Sequence, residues 1–530
     1  MVDGAQMLIK HISSNDKVFI QIDSDCDGYT SAATLINYLN RLFPAFVQNN
    51  VTYRLHEGKA HGIIYDTIPK DVKLVIAPDS SSNDYEVHEQ LAQDGIDVLV
   101  IDHHEADHIS EYACVINNQL CDYPTKSLSG VGMVYKFCSY IDSLLNVDYA
   151  NDYLDLVALG LIADMMDLRD FETRHLITLG INQIRNPYFK GMTVKNSFSL
   201  GETITPFGVA FYIAPYINAV TRCGTQEEKL ILFESMLDFR AYEMIPSTKR
   251  GCKGQMETRV EQACRNCTNI KNRQGKARDA SLEIIEQIIK DKELLNNKII
   301  IVTLDKSHSI DRNLTGLVAT KIANQYQRPT LILNESVQDN GSILWEGSGR
   351  NYGQNDFENL RMFLAESGYF EYAEGHEGAF GVGIRDEDLP QFLSYSNKLL
   401  EDFDFTPKYY IDFEYDAVTL NGTDILNIAD FDNLWGQCIE EPYVLVKNVK
   451  LTSGNLSLLK GTTMKMTLND DISLIKFRSS EEEYEQLYSD LGCVTINVIG
   501  RFQKNVWNGR VSPQILIEDY EIVGRTAYYF

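Results

Sequence analysis

Basic residues are scarce in this sequence. Its 530 residues include 48 Lys and Arg against 75 Asp and Glu, which gives a formal net charge of −27 at pH 7. Nucleic-acid-binding proteins are usually basic overall, because much of their affinity comes from neutralising phosphates. The total charge therefore argues against nucleic-acid binding over the whole surface, so that any such contact must be local.

Long hydrophobic runs are absent as well. No stretch approaches the roughly 18 apolar residues of a membrane span, and the first residues, MVDGAQMLIKHISSND, lack the basic, apolar and small-residue regions of an export signal. We therefore expect a soluble, cytoplasmic protein. The ten cysteines have no regular spacing, which excludes a disulfide framework. One CxxC pair, Cys264 and Cys267, lacks the second ligand pair of a structural zinc site.

A strand and helix alternation occupies residues 1 to 185. The apolar runs KVFIQID, DVKLVIAPD and DVLVIDHH are separated by helical patterns, which predicts a parallel sheet buried on both faces. Each run ends in a carboxylate, and in open α/β sheets ligands bind outside the carboxyl ends of the strands. The side chains that we expect to meet there are Asp25, Asp27, Asp79, Asp102 and His103.

The rest of the sequence divides into three regions. Residues 186 to 290 are mainly helical and contain a basic segment, residues 249 to 278, with nine Lys or Arg against two Glu. This segment fits either a solvated helix face or a phosphate-binding surface. A second α/β pattern covers residues 291 to 405. Short alternating strands in residues 406 to 530 predict a small antiparallel barrel.

The stretch DSDCDG, residues 23 to 28, opens like the calcium loop of an EF-hand. Such a loop needs a bidentate Glu at its twelfth position and a helix before it. Here the twelfth position is Thr34, and the preceding KVFIQI has the pattern of a strand. The sequence therefore excludes a calcium loop.

Carboxylates and imidazoles together suggest another kind of metal site. Taken singly, each of these aspartates is more typical of a helix cap or a turn. Four acidic elements at strand or helix ends of one α/β region, the last of them Asp164, instead predict a shared cluster. Oxygen ligands with one or two imidazoles and no thiolate suit Mn²⁺ or Mg²⁺. Two such ions about 3.5–4 Å apart activate a water and stabilise charge on a phosphoryl group.

These motifs, in this order, resemble the DHH phosphoesterase superfamily, and further stretches resemble its RecJ single-strand exonucleases. The stretches include LSGVGMVYKF, APYINAVTR, LTGLVATKIANQYQRPTLIL, GSGRN, GHEGAFGVGI and NVWNGRVSPQILIEDYEI. The resemblance covers nearly the whole chain. It implies a parallel-sheet DHH lobe and a smaller α/β DHHA1 lobe joined by a long helix, followed by an OB-fold barrel. The expected domains are residues 1–185, 186–290 as connector, 291–405 and 406–530.

The resemblance also implies roles for individual residues. The expected ligands of two Mn²⁺ or Mg²⁺ ions are Asp25, Asp27, Asp79, His103 and Asp164, with Asp79 shared between the ions. Asp23, Asp102 and His104 are expected at catalytic positions, with His104 contacting the scissile phosphate or transferring a proton. The expected substrate-binding residues are Asn218, Arg222, Ser348, Arg350, Gly375 and His376. Arginine suits this role because its planar fork grips phosphate oxygens.

Some positions depart from the family pattern. Many superfamily members have a His four residues before the first metal-binding Asp, whereas this sequence has Gln21, and an amide is a poorer ligand for a divalent ion. Asp23 is the candidate substitute. Residues 310–313, Ile-Asp-Arg-Asn, replace an aromatic-His-Pro-Gly stretch, and Val220 and Thr221 precede Arg222 where the family has NAxGR. We therefore expect a divergent family member.

Three functions follow from these observations. The leading hypothesis is a monomeric, metal-dependent exonuclease that trims single-stranded DNA from its 5′ end, with a single-strand-binding protein or a helicase as candidate partner. Trp507 fits either base stacking or the barrel core. The second hypothesis keeps the site but takes short oligonucleotides, cyclic dinucleotides or polyphosphate, which would not need a barrel. The third is a catalytically weak DNA-binding scaffold, although the retained ligand set argues against it.

Overall fold

The strand and helix alternation at the start of the chain forms the predicted parallel sheet. The computed structural model describes residues 1–57, 60–252, 254–469, 472–507 and 509–527, with only the backbone of His376, Trp507 and Ala527. Strands β1 to β5 span Lys17–Ile22, Val51–Leu55, Val72–Pro78, Asp97–Asp102 and Cys114–Asn117. They pair in the order β2-β1-β3-β4-β5, and every neighbouring pair is parallel.

Burial on both faces explains why these strands are continuously apolar. From Val18 to Ile22 every residue of β1 is buried, and β4 is buried from Val98 to Asp102. The helices of this region are α1 to α12, spanning Val2–Ser13, Cys26–Leu42, Pro44–Asn50, Tyr85–Gln93, Gly130–Leu145, Leu154–Ala163, Phe171–Asn182, Pro187–Lys195, Ser197–Leu200, Pro206–Tyr212, Ala214–Cys223 and Gln226–Ser235.

The chain forms two compact units. The first comprises residues 1–268 and 411–530, and the second comprises residues 269–410. A two-stranded sheet of β6, Met244–Pro246, and β7, Met256–Thr258, precedes helix α13, Arg259–Asp291, whose 33 residues confirm the predicted long helix. The division into four domains expected from the sequence, with its three boundaries, stays a prediction.

The second unit contains a mixed sheet. Strands β8 to β12 span Ile300–Leu304, Thr330–Val337, Ile343–Arg350, Phe370–His376 and Ala379–Arg385, and pair in the order β11-β12-β10-β9-β8. Only the β8–β9 pair is parallel. Helices α14 to α16 span Arg312–Tyr326, Leu360–Glu366 and Leu389–Leu399. Phe392 of α16 is fully buried in the apolar core of this unit.

The C-terminal residues form a seven-stranded sheet with one buried face. Strands β13 to β19 span Phe413–Asp416, Val444–Leu451, Leu456–Leu459, Thr463–Leu468, Ile472–Phe477, Gly492–Trp507 and Arg510–Ala527. Helix α17 spans Gly422–Ala429, and α18 spans Glu481–Leu487. The predicted antiparallel pairing is wrong for β13–β14 and β17–β19, which are parallel. Strand β18 runs antiparallel to β19. Strand β19 therefore has the same direction as β17 and pairs with it in parallel.

Other sequence predictions concern the cysteines and the membrane. Cys264 and Cys267 are buried, and the Sγ of Cys267 lies 3.2 Å from the Tyr188 hydroxyl, so the pair contributes to packing. Within the part of the chain that the structure describes, no helix is long and apolar enough to cross a membrane.

Truncating Phe392 is expected to destabilise the second unit. The ring lies within 6.4 Å, centroid to centroid, of Phe363, Tyr369, Phe370 and Tyr395. Phe392→Ala should cost about 3–5 kcal/mol, measured from hydrogen exchange of the β8–β12 amides. Leu399→Ala is the control because Leu399 ends the same helix but is 59% exposed, and its effect should stay within about 0.5 kcal/mol. Equal losses in the two variants would contradict the prediction.

Candidate metal centre

The first acidic element turns directly from strand β1 into helix α2. Asp25 is the N-cap of α2, and its Oδ1 accepts a hydrogen bond from the Gly28 amide at 2.9 Å, which satisfies one free N–H of the first turn. Asp27 lies in that turn and is buried. Its Oδ1 accepts from the Ser129 hydroxyl at 2.9 Å and from the Val131 amide at 3.3 Å. The start of α5 therefore fixes this carboxylate.

Asp79 follows strand β3 in an uncommon backbone conformation. Its φ is 69°, and such a conformation costs of order 1–3 kcal/mol in a residue other than glycine. Its amide donates to the Ile101 carbonyl of β4 at 2.8 Å. The side chain is buried, and its Oδ1 lies 3.3 Å from the Nε2 of His103. The strained turn thus directs this carboxylate towards the imidazole.

Asp102 ends strand β4 and is saturated with hydrogen bonds. Its Oδ1 accepts from the His103 amide at 2.7 Å and from His104 Nδ1 at 2.7 Å, and its Oδ2 accepts from the Ser82 amide at 3.1 Å. Although burial opposes ionisation, these hydrogen bonds lower the pKa of Asp102 overall. In His104, the same interaction raises the pKa despite the lowering effect of burial. Asp102 therefore orients His104, whose side chain is 45% exposed.

Asp164 completes the cluster from the end of helix α6. It is the C-cap residue of α6, and its Oδ2 lies 3.3 Å from His103 Nε2. Burial lowers the pKa of His103 to about 4, helped by the charge of His104, so the imidazole is neutral and suited to bind a cation. Within the described residues, three groups of side chains each have ligand atoms that lie within 4.8 Å of one another. They are Asp27, His103 and Asp164; Asp23, Asp25 and Asp79; and Asp79, Asp102, His103 and His104.

The carboxylates of this cluster fit a cation because their charges are poorly compensated by the protein. Among the described residues, Asp27 Oδ2, Asp79 Oδ1 and Asp164 Oδ2 are buried without a hydrogen-bond partner. Burial, with the charge of Asp25, raises the pKa of Asp27 to about 6. Burial, with the charges of Asp27 and Asp25, raises the pKa of Asp164 to about 9. A divalent cation would supply the missing charge.

Two glycines make room for these side chains. A Cβ built at Gly130 would overlap the carboxylate of Asp79, and a Cβ built at Gly160 would overlap Oδ1 of Asp27. Gly130 begins α5 and Gly160 lies in α6. The small residues at these two positions therefore allow the helices to approach the acidic cluster.

The structure brings two of the predicted substrate-binding residues to the cluster. Asn218 Oδ1, on helix α11, accepts from the Cys26 amide at 3.1 Å. Arg222 lies in the last turn of the same helix. Burial raises the pKa of Asp25, and the charge of Arg222 acts in the opposite direction. Arg259 of the basic segment is buried and forms ion pairs with Glu234 and Glu243, so its charge is already paired within the protein. Lys253 of that segment lies outside the described residues.

The other predicted substrate-binding residues belong to the second unit. Ser348 Oγ lies 2.9 Å from Thr315 Oγ1. The Arg350 guanidinium packs against Gly316, where a Cβ would overlap it. Gly375 has a φ of 130°, a backbone conformation that favours glycine. The side chain of His376 lies outside the described residues, as does that of Trp507.

Sequence reasoning missed three residues at the cluster. Ser129 belongs to the LSGVG stretch, which the sequence identifies only as a family signature. The Ser129 hydroxyl donates a hydrogen bond to Asp27. His56 and His61 follow strand β2, and both approach Asp23. No spacing rule connects them with DSDCDG. The pairing of β1 with β2 brings His56 to Asp23, and the chain beyond β2 brings His61.

Comparison with known families supports the assignment suggested by this geometry. The N-terminal domain of the DHH family matches residues 17–161, and the RecJ OB domain matches residues 411–519. The YorK protein of the SPbeta prophage in Bacillus subtilis, which bears the name single-strand DNA-specific exonuclease, is 37% identical over 98% of this chain and 90% of its own length. The chain belongs to the RecJ exonuclease family.

More distant RecJ proteins extend the similarity. The single-stranded-DNA-specific exonuclease RecJ of Bacillus subtilis is 27% identical over 98% of this chain and 63% of its own length. The crystal structure of RecJ in complex with Mn²⁺ from Thermus thermophilus matches with a TM-score of 0.72 at 18% identity, over 98% of this chain and 71% of that one. This match confirms the RecJ fold, with its parallel-sheet DHH domain and its OB domain.

A methyl group at Gly130 is expected to weaken cation binding. Gly130→Ala must displace the Asp79 carboxylate, and we expect at least a 10-fold loss of Mn²⁺ affinity in calorimetric titration, the size of a disturbed outer shell. Gly275→Ala is the control, because among the described residues nothing lies within 4 Å of a Cβ at this helical position. An unchanged affinity in Gly130→Ala would contradict the assignment of Asp79.

Cation binding should also depend on pH. The unfolded carboxyl groups titrate near pH 4, whereas burial raises the pKa of Asp27 to about 6 and that of Asp164 to about 9. Between these values the folded state holds more protons than the unfolded state, so the stability of the metal-free protein falls as the pH rises towards 9. Mn²⁺ must displace the same protons, so its affinity should rise from pH 6 to 9. A pH-independent Mn²⁺ affinity would contradict this prediction.

Proposed function

We infer that this protein is a divalent-metal-dependent exonuclease that hydrolyses single-stranded DNA from 5′ to 3′ and releases nucleotides. The observation that carries this function is the convergence around His103 of carboxylates with buried, unpaired oxygens from the start of α2, the end of β3 and the end of α6. The relatives of this chain are named single-strand DNA-specific exonucleases. RecJ proteins have been crystallised with Mn²⁺ and with Mg²⁺, and both ions suit the oxygen-rich ligand set.

Two groups of residues would hold the two ions. Asp27, His103 and Asp164 would hold one, and Asp23 and Asp25 would hold the other. Asp79 would be the shared ligand, because its carboxylate lies within 4.8 Å of those of Asp23 and Asp25 and also 3.3 Å from His103. When bound, a pair of such ions lowers the pKa of an attacking water and stabilises the charge of the transferring phosphoryl group.

His104 would act on the substrate itself. Asp102 accepts the hydrogen bond of its Nδ1, so Nε2 is left to face the phosphate. The interaction with Asp102 raises the pKa of His104 and so favours the imidazolium form, which donates a hydrogen bond to a non-bridging oxygen or a proton to the leaving oxygen. Arg222 would grip a neighbouring phosphate with its planar fork.

The second unit and the OB domain would bind the rest of the strand. Ser348, Arg350, Gly375 and His376 are proposed phosphate contacts because they lie in the GSGRN and GHEGAFGVGI stretches. The OB domain favours a polymer over a dinucleotide, since such domains track several nucleotides of a single strand. We further propose a cytoplasmic monomer, with a single-strand-binding protein or a helicase as partner.

Removal of Asp79 tests the proposal. Asp79→Asn should lower degradation of an end-labelled 30-mer by more than about 100-fold, since even outer-shell partners of a metal contribute 10–100-fold. Chelation with EDTA should abolish activity, and Mn²⁺ should restore it. Asp170→Asn is the matched control, because Asp170 caps helix α7 through its Oδ1 and Asn caps equally well.

Two outcomes would contradict the function. One is equal degradation by the wild type and Asp79→Asn, which would dissociate the reaction from the cluster. The other is faster turnover of a dinucleotide than of the 30-mer, which would favour a phosphodiesterase for small substrates.

A further inference from the structure

Two histidines after strand β2 surround Asp23. Strands β1 and β2 pair in parallel, with Gln21 opposite Arg54 and Ile22 opposite Leu55. This register places His56, which follows β2, beside Asp23, which follows β1. The segment after β2, which belongs to none of the acidic motifs, thus places two imidazoles beside Asp23, one of the ligands proposed for the second ion.

His61 makes the closer contact. Its Nδ1 lies 2.9 Å from Oδ1 of Asp23, an ion-pair contact in which Oδ1 does not have the alignment of a hydrogen bond. The His61 ring also packs edge-on against His104, with 5.1 Å between the ring centroids. Its side chain is 49% exposed, so a substitution here leaves no cavity in the core. His61 thus connects Asp23 with the imidazole that faces the substrate.

His56 lies behind the same carboxylate oxygen. Its Nε2 is 3.9 Å from Asp23 Oδ1, and its side chain is fully buried. Neither ring nitrogen has a hydrogen-bond partner among the residues with described positions. Its backbone carbonyl accepts from Lys229 Nζ at 3.1 Å and from Gln226 Nε2 at 3.3 Å. A buried lysine is costly, and this one helps to fix the position of His56.

Residue 21 does not supply an imidazole to this site. Gln21 is buried, and its Nε2 donates to the Arg54 carbonyl at 3.2 Å. Its amide therefore links β1 to β2. The imidazoles that contact Asp23 are those of His56 and His61, which follow β2 in the chain.

We propose that His61, supported by His56, is a positioning residue that orients Asp23 for the second cation. This inference rests on the proposed function. The close approach of His61 Nδ1 to Oδ1 would direct the remaining oxygen of Asp23 towards Asp25 and Asp79, as outer-shell partners do for metal ligands. The ion held by Asp27, His103 and Asp164 does not depend on this contact, so the two sites should respond differently to its loss.

Mn²⁺ binding to the full chain distinguishes the two sites without any reaction. The free Mn²⁺ signal in electron paramagnetic resonance gives the stoichiometry and both dissociation constants. His61→Ala should weaken one of the two sites about 10–100-fold and leave the other unchanged. His61→Asn should retain nearly wild-type affinity, because its amide N–H can donate from about the same place. His56→Asn should weaken the same site as His61→Ala.

His175→Ala is the control, since His175 is an exposed histidine on helix α7, and it should bind Mn²⁺ like the wild type. The proposal is overturned if His61→Ala keeps both dissociation constants, if it weakens both sites equally, or if His61→Asn is as defective as His61→Ala. A wild-type protein that binds no Mn²⁺ would instead refute the proposed function, so the two failures are distinguishable.

Discussion

Electrostatic repulsion among buried carboxylates is the constraint on which this catalytic region depends. Asp27 and Asp79 are buried and lie beside Asp164, whose side chain is 29% exposed. Each of the three has a buried oxygen that lacks a protein partner among the described residues. Burial raises the pKa of all three groups, so the metal-free protein relieves the repulsion by holding protons. Divalent cations would relieve it by charge neutralisation, which makes the same arrangement a metal centre.

Local packing holds this unfavourable arrangement in place. Ser129 and Val131 at the start of α5 donate hydrogen bonds to Asp27. Asp79 has a positive φ, and its backbone N–H donates a hydrogen bond to the Ile101 carbonyl of β4. Gly130 and Gly160 let two helices approach where a methyl group would overlap a carboxylate. The free energy that offsets the repulsion among the carboxylates therefore comes from the packing of the surrounding sheet and helices. Strand β3 is buried from Leu74 to Pro78 and β4 from Val98 to Asp102.

The distribution of charge also changes the interpretation of the sequence. The basic segment was a candidate phosphate-binding surface, yet Arg259 and Arg265 form ion pairs with Glu234, Glu243 and Glu257. These two arginines thus stabilise the start of α13, and Arg222 on another helix contributes positive charge at the acidic cluster. An acidic protein can handle nucleic acid in this way, because only a few phosphates have to be neutralised at the reaction site.

The sequence by itself determined the parallel sheet, the long helix and the acidic elements at strand ends, because periodicity and the carboxyl-edge rule act over short stretches of chain. It also sufficed for the resemblance to the RecJ family. Tertiary structure alone decided that His56 and His61 meet Asp23, that Ser129 holds Asp27 and that two pairs of C-terminal strands are parallel. These contacts depend on strand register and helix approach between segments distant in sequence, and no local pattern of residue types records them.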